Sequence, residues 1–170
     1  MFVTAANEIA DRLAAVHDTV ASACQTAGRN PDGVQLIAVG KRFPVAALAA
    51  ARDAGQRHFG ENYAAELADK AAQLAGDVMW HMIGPLQRRQ VALMPQQNLL
   101  VHTLDRLELV ERFERLRPDG LPPFLVQVNI GGEPSKSGLA PAAVPAFFDA
   151  LLARRPALDV RGLMTIPPPA

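Results

Sequence analysis

Lys41 follows directly on the apolar run LIAVG (36–40), where the chain should just be leaving a buried strand. Alternation along a strand places Ile37, Val39 and Lys41 on one face, so the amine is expected to be partly desolvated. Desolvation disfavours the ammonium form and exposes a lone pair, which is what a lysine needs in order to condense with an aldehyde as an imine. The competing reading is a lysine whose stem simply carries its charge from a strand end into water.

Other polar residues fall at similar junctions. In "HFGENYAAE", Asn62 is placed either to reach a bound ring or to cap a helix starting at Tyr63. In "WHMIGPLQ", His81 shares a face with Ile83, and its ordinary role would be a buried imidazole bonded to a carbonyl. Asp105 and Glu108 in "VHTLDRLE" have the D-x-x-E spacing of a capping box, which assigns Asp105 to structure. "FLVQVNI" sends Leu125, Gln127 and Asn129 to one face, so amides accumulate toward the end of that strand. The following "GGEPSKSG" has glycines and hydroxyls able to hold an anion, and equally the composition of an ordinary loop.

These residues need a scaffold. Ile9, Leu13, Val16, Val20 and Cys24 recur at helical spacing and Gly28 follows them, which predicts a helix over about 4–27. Strands are expected near 34–40, 57–60, 78–83, 99–103, 124–130 and 158–165, with helices starting near Val45, Tyr63, Leu86, Arg106 and Ala142. Short strands alternating with helices imply parallel pairing through crossovers, hence an open doubly wound sheet or a barrel. In both, ligands sit where strand C-termini hand over to helices.

Composition narrows the function. The chain has 170 residues with 49% hydrophobic and 20% charged, as expected for one domain with a packed core. Seventeen basic residues balance seventeen acidic ones, which gives no long-range attraction to nucleic acid or an anionic membrane and favours a small-molecule partner. One cysteine, Cys24, cannot form an internal disulfide and suits a reducing, cytoplasmic setting; no targeting or membrane-spanning segment is expected. Gly40-Lys41 is not a Walker A loop, because Gln35 stands at its first glycine and Arg42 at its Ser/Thr. No strand is followed by GxGxxG, which weakens the doubly wound alternative.

The segments "AVGKRFP", "FGENYAAE", "WHMIGPLQ", "VHTLDRL", "QVNIGGEPSKSG" and "RGLMTIP", in that order, resemble the pyridoxal-phosphate homeostasis protein family, also called YggS or PROSC-like. The resemblance implies an α/β fold, the TIM-type (β/α) barrel of the alanine racemase N-terminal domain preceded by a helix. It implies pyridoxal 5′-phosphate held as a Schiff base on Lys41, with Asn62 near the cofactor and Met164 lining the same mouth. Asn129 and His81 join the cofactor-binding set by position. The family is regarded as buffering the cofactor in cells without established catalysis, so transient contact with enzymes that use the cofactor is a further expectation.

Two local departures are Gly40, where the family usually has Ser, and Arg88-Arg89-Gln90 in place of an "SNK"-like segment. The larger expectation is that 1–170 is a single partial barrel with about six of eight βα units, over about 34–170. On that reading the family's phosphate-binding Ser, Gly and Thr residues and the arginine facing the ring nitrogen lie beyond this stretch, and binding is weakened. Three alternatives stand beside the carrier. A racemase would need a second proton carrier, and Tyr63 is the one tyrosine. A metal-dependent hydrolase would use Glu61, His81 and His102. A non-binding fragment would expose strand edges that recruit another chain.

Overall fold

The computed structural model describes residues 2–74, 76–133 and 136–167. Six parallel strands form one sheet: β1 (Ala38–Val39), β2 (His58–Glu61), β3 (Met79–Met82), β4 (Leu99–Leu104), β5 (Phe124–Gln127) and β6 (Val160–Met164). Helices α1 (Phe2–Thr26), α2 (Val45–Asp53), α3 (Ala64–Gln73), α4 (Leu107–Leu116) and α5 (Val144–Arg154) accompany them, and a 3₁₀ segment, Arg88–Leu93, carries the chain from β3 to β4.

Strand order follows chain order from β1 to β6 without reversal. Right-handed crossovers that always step to the next neighbour leave their helices on one face, whereas a doubly wound sheet reverses and is covered on both. The layout is therefore that of a (β/α) barrel wall, and β1 and β6 are its edges among the described residues.

Alternation gives each strand two functions. Phe59, Trp80, Met82, Val101, Phe124 and Val126 face the helices and bury against Leu48, Leu67, Leu109, Phe113 and Leu151. The rings of Phe113 and Phe124 meet edge to face, 5.4 Å between centroids. Burying each such side chain contributes about 1.5–3 kcal/mol, so this layer holds the wall together. The opposite set, including His58, Gly60, His81, Ile83 and His102, forms the inner face.

Several elements differ from expectation for local reasons. β1 is shorter than 34–40 because it pairs only with β2, through Ala38 and Val39. Below that pair, the Gln56 side chain donates to the carbonyls of Leu36 (3.0 Å) and His58 (2.6 Å) in place of a backbone ladder. β5 stops at Gln127, where Leu139 N–H donates to the Gln127 carbonyl and Asn129 N–H to that of Leu139, both at 2.8 Å. The helix expected from Leu86 is the 3₁₀ segment, since Pro95 biases Met94 to extended backbone and truncates it. α1 ends as expected, with Gly28 at φ 62° and Arg29 N–H donating to the Cys24 carbonyl at 2.9 Å. Cys24 is buried and unpaired.

Candidate functional site

The C-terminal ends of the strands present Lys41, Asn62, Gly84, Asp105, Asn129 and Met164 in succession. Lys41 departs from expectation, because it is exposed rather than partly desolvated. β1 has already ended and the chain turns, Arg42 taking the left-handed conformation at φ 65°, so the alternation does not extend through Lys41. Among the described residues, its amine makes no hydrogen bond or ion pair.

The other two lysines are engaged. Lys136 pairs with Glu133 at 2.6 Å. Lys70 on α3 is buried, and its ammonium donates to Gly40 O, Glu61 Oε1 and Glu66 Oε1, each at 2.7 Å. Burial acts to lower the Lys70 pKa, but the hydrogen bonds and charges of two carboxylates outweigh it, and the group stays protonated. Burial pushes the Glu61 carboxyl up, against the pull of Lys70. Glu66 is held down, first by its hydrogen bond with Lys70.

Asn62 does not cap α3. The cap position is Tyr63, without a side-chain bond, and Asn62 Oδ1 is buried without a hydrogen-bond partner. Gly84 lies against the Asn62 backbone: a Cβ at 84 would stand 2.0 Å from the Asn62 carbonyl oxygen. Only glycine allows the β2 and β3 mouths to approach that closely.

Asn129 ties the loop after β5. Its Nδ2 donates to the carbonyls of Glu133 (2.9 Å) and Lys136 (3.2 Å), while Oδ1 is unpartnered. Met164 is adjacent, since Val128 N–H donates to the Met164 carbonyl at 2.8 Å. Lys41 and Asn62 thus end neighbouring strands, as do Asn129 and Met164, but Lys41 and Met164 stand at opposite edges of the sheet. Asp105 is not a cap either: Arg106 occupies that position, and Asp105 accepts from Arg106 Nη1 at 2.8 Å. Burial raises its pKa.

His81 lies deeper on the inner face and bonds to no carbonyl. Its Nε2 is 2.9 Å from His58 Nδ1 and its Nδ1 is 2.8 Å from His102 Nε2, forming a ladder across β2, β3 and β4. The registers explain it: His81 pairs in sequence with Gly60 and Leu100, so each histidine is offset by two residues from the next and all share a face. Burial, then the neighbouring imidazoles, lower the His81 pKa to about 3. Both of its ring nitrogens are taken. Glu61 points the other way, into the helix layer toward Lys70, so the Glu61/His81/His102 metal set does not converge.

Sequence reading missed the Lys70 cluster and the His58–His102 ladder. The i,i+4 spacing of Glu66 and Lys70 was a usable signal for the first. Histidines 23 and 21 residues apart, one in each of three successive strands, were a signal for the second.

The donor set suits a small polar ring bearing an aldehyde: an unengaged amine after β1, with unpartnered amide oxygens on Asn62 after the neighbouring β2 and on Gln127 and Asn129 at the end of β5. Residues 12–170 match the family model described as "Alanine racemase, N-terminal domain". The chain is 45% identical over 164 residues to the pyridoxal phosphate homeostasis protein of Pseudomonas aeruginosa, covering 95% of this chain and 71% of that protein. The structure of PipY from Synechococcus elongatus with PLP bound superposes at a TM-score of 0.75 with 34% identity, covering 95% of this chain and 72% of that one. An alanine racemase from E. faecalis superposes at 0.63 with 20% identity, over 89% of this chain and 41% of that one, a likeness of fold alone. Among the described residues, no helix is long and apolar enough to cross a membrane.

Proposed function

Because the chain belongs to the alanine racemase N-terminal domain family and, within it, to the pyridoxal phosphate homeostasis proteins, we propose that it carries pyridoxal 5′-phosphate on the amine of Lys41. The cofactor would supply an aldehyde, and the Lys41 amine is the group that would hold it. The observation that carries the assignment to Lys41 is the state of the three lysines: Lys70 and Lys136 are tied to carboxylates, and Lys41 stands unengaged at the strand-end mouth. An amine already donating to three acceptors, as Lys70 does, has no lone pair to offer.

Asn62 is the residue best placed to orient the ring, because it follows the strand next to the one that ends at Lys41 and its Oδ1 has no partner. Asn129 offers one oxygen from the far side of the mouth, and Met164 beside it offers an apolar wall. His81 supports the floor through its neutral, fully engaged ring. The chain is a carrier rather than a catalyst. Its likeness to alanine racemase is one of fold, and its one tyrosine, Tyr63, is 52% exposed. Cytoplasmic residence, which suits the free Cys24, and transient transfer of the cofactor to enzymes that use it complete the proposal.

Titration with pyridoxal 5′-phosphate tests this. The parent chain is expected to develop the visible band of a lysine-bound cofactor and Lys41→Ala to lose it. A band of equal strength in both would remove Lys41 from the role.

A further inference from the structure

The turn that carries Lys41 is bonded on both sides of that residue to one ion cluster, buried at Lys70 and Glu61 and partly exposed at Glu66. On the N-terminal side, the Gly40 carbonyl accepts from Lys70 Nζ at 2.7 Å. On the C-terminal side, Arg42 N–H donates to Glu66 Oε1, also at 2.7 Å. The same Glu66 oxygen accepts from Lys70 at 2.7 Å, and Lys70 is held in turn by Glu61 Oε1 at 2.7 Å. Glu61 and Lys70 are 0% and 3% exposed, so their pair is screened from water, while Glu66 stands at the partly exposed end of the cluster.

Arg42 needs such an anchor. It is a non-glycine residue at φ 65°, a conformation that an L-residue seldom keeps without support. β1 has only two residues, and the sheet reaches the segment after it through Gly40 N–H, which donates to the Gly60 carbonyl at 2.9 Å. Gly40 is held by β2 and by its own turn, in which Phe43 N–H donates to the Gly40 carbonyl at 2.9 Å, and α3 adds one bond on each side of Lys41, whose side chain is left free.

We propose that Glu66 and Lys70, with Glu61 behind them, are positioning residues: they lock the Gly40–Arg42 turn so that the Lys41 amine is presented to the cofactor aldehyde in one place. This rests on the assignment of Lys41 made above. In this reading they act through the backbone of the turn and not on the cofactor itself. Their contribution is to hold the Lys41 backbone before binding, so that attachment does not have to order the turn.

Glu66 is the residue to vary, because it is the most exposed of the three and its loss leaves the buried Lys70–Glu61 pair intact. Two measurements on the full chain are needed. Amide hydrogen exchange without cofactor should show Arg42 protected in the parent, exposed in Glu66→Ala and protected again in Glu66→Gln, which retains an acceptor. Titration with pyridoxal 5′-phosphate should show the apparent dissociation constant rising about tenfold in Glu66→Ala and returning most of the way in Glu66→Gln. A merely structural role would change unfolding stability but leave Arg42 exchange and the Gln rescue unmoved. Lys41→Ala, titrated in parallel, separates the two ideas. Retention of the band there overturns the assignment beneath the proposal. Its loss there, with parent-like exchange and binding in Glu66→Ala, overturns the positioning role alone.

Discussion

His81 Nδ1 lies 2.8 Å from His102 Nε2, and with His58 on its other side the central imidazole has no nitrogen left for water. A proton added to His81 would break one of these bonds and place charge in a buried layer. Its pKa in the folded chain is accordingly about 3, against 6.5 for a free imidazole. The unfolded chain therefore binds a proton that the folded chain refuses, and stability is present above about pH 6.5 and lost as pH falls toward 3. Burial lowers His58 and His102 in the same direction. Urea midpoints measured between pH 7 and pH 4 are expected to decline steeply, and His81→Leu, although less stable at neutral pH, to decline less steeply. An identical slope in the two would mean that the ladder does not govern acid stability.

Gly84→Ala should be among the costliest small substitutions in the chain. The added methyl would stand 2.0 Å from the Asn62 carbonyl oxygen, a backbone atom that cannot swing aside. A loss of about 1–3 kcal/mol is expected from forced backbone displacement, with weaker cofactor binding because Asn62 moves. Denaturant midpoints equal to those of the parent would show that β2 and β3 are not clamped there.

Lys70→Met tests the buried pair by itself. It leaves Glu61 charged, fully buried and without a cation, and should destabilise by about 3–5 kcal/mol. Adding Glu61→Leu to Lys70→Met should recover much of that loss, because the remaining penalty is the unpaired charge. If the double variant is no more stable than Lys70→Met, the cost lies in packing.

Asn62 and Asn129 look alike in sequence and should behave differently. Asn62 Oδ1 is unpartnered, so Asn62→Ala is expected to change stability by less than about 0.5 kcal/mol while weakening cofactor binding. Asn129→Ala removes two hydrogen bonds that tie Glu133 and Lys136 to the strand end, and should cost about 1–3 kcal/mol. Thermal unfolding beside cofactor titration reads both, and equal effects on stability would contradict the division of roles.

The alternation of short strands with helices, the C-cap at Gly28 and the position of Lys41 at a strand end were all legible in the amino-acid sequence. Each follows from local periodicity or turn chemistry, which act within a few residues. What the sequence left undetermined depends on contacts between elements. Whether Lys41 would be buried was decided by where β1 loses its partner, and whether Asn62 would cap a helix or stay free by the close approach of Gly84. The stagger of parallel strands brought His58, His81 and His102 into line, and the packing of α3 against β1 and β2 buried Lys70 beneath the turn it holds. Such distances are set by crossover geometry and register, which bring together residues 20 to 30 positions apart along the chain.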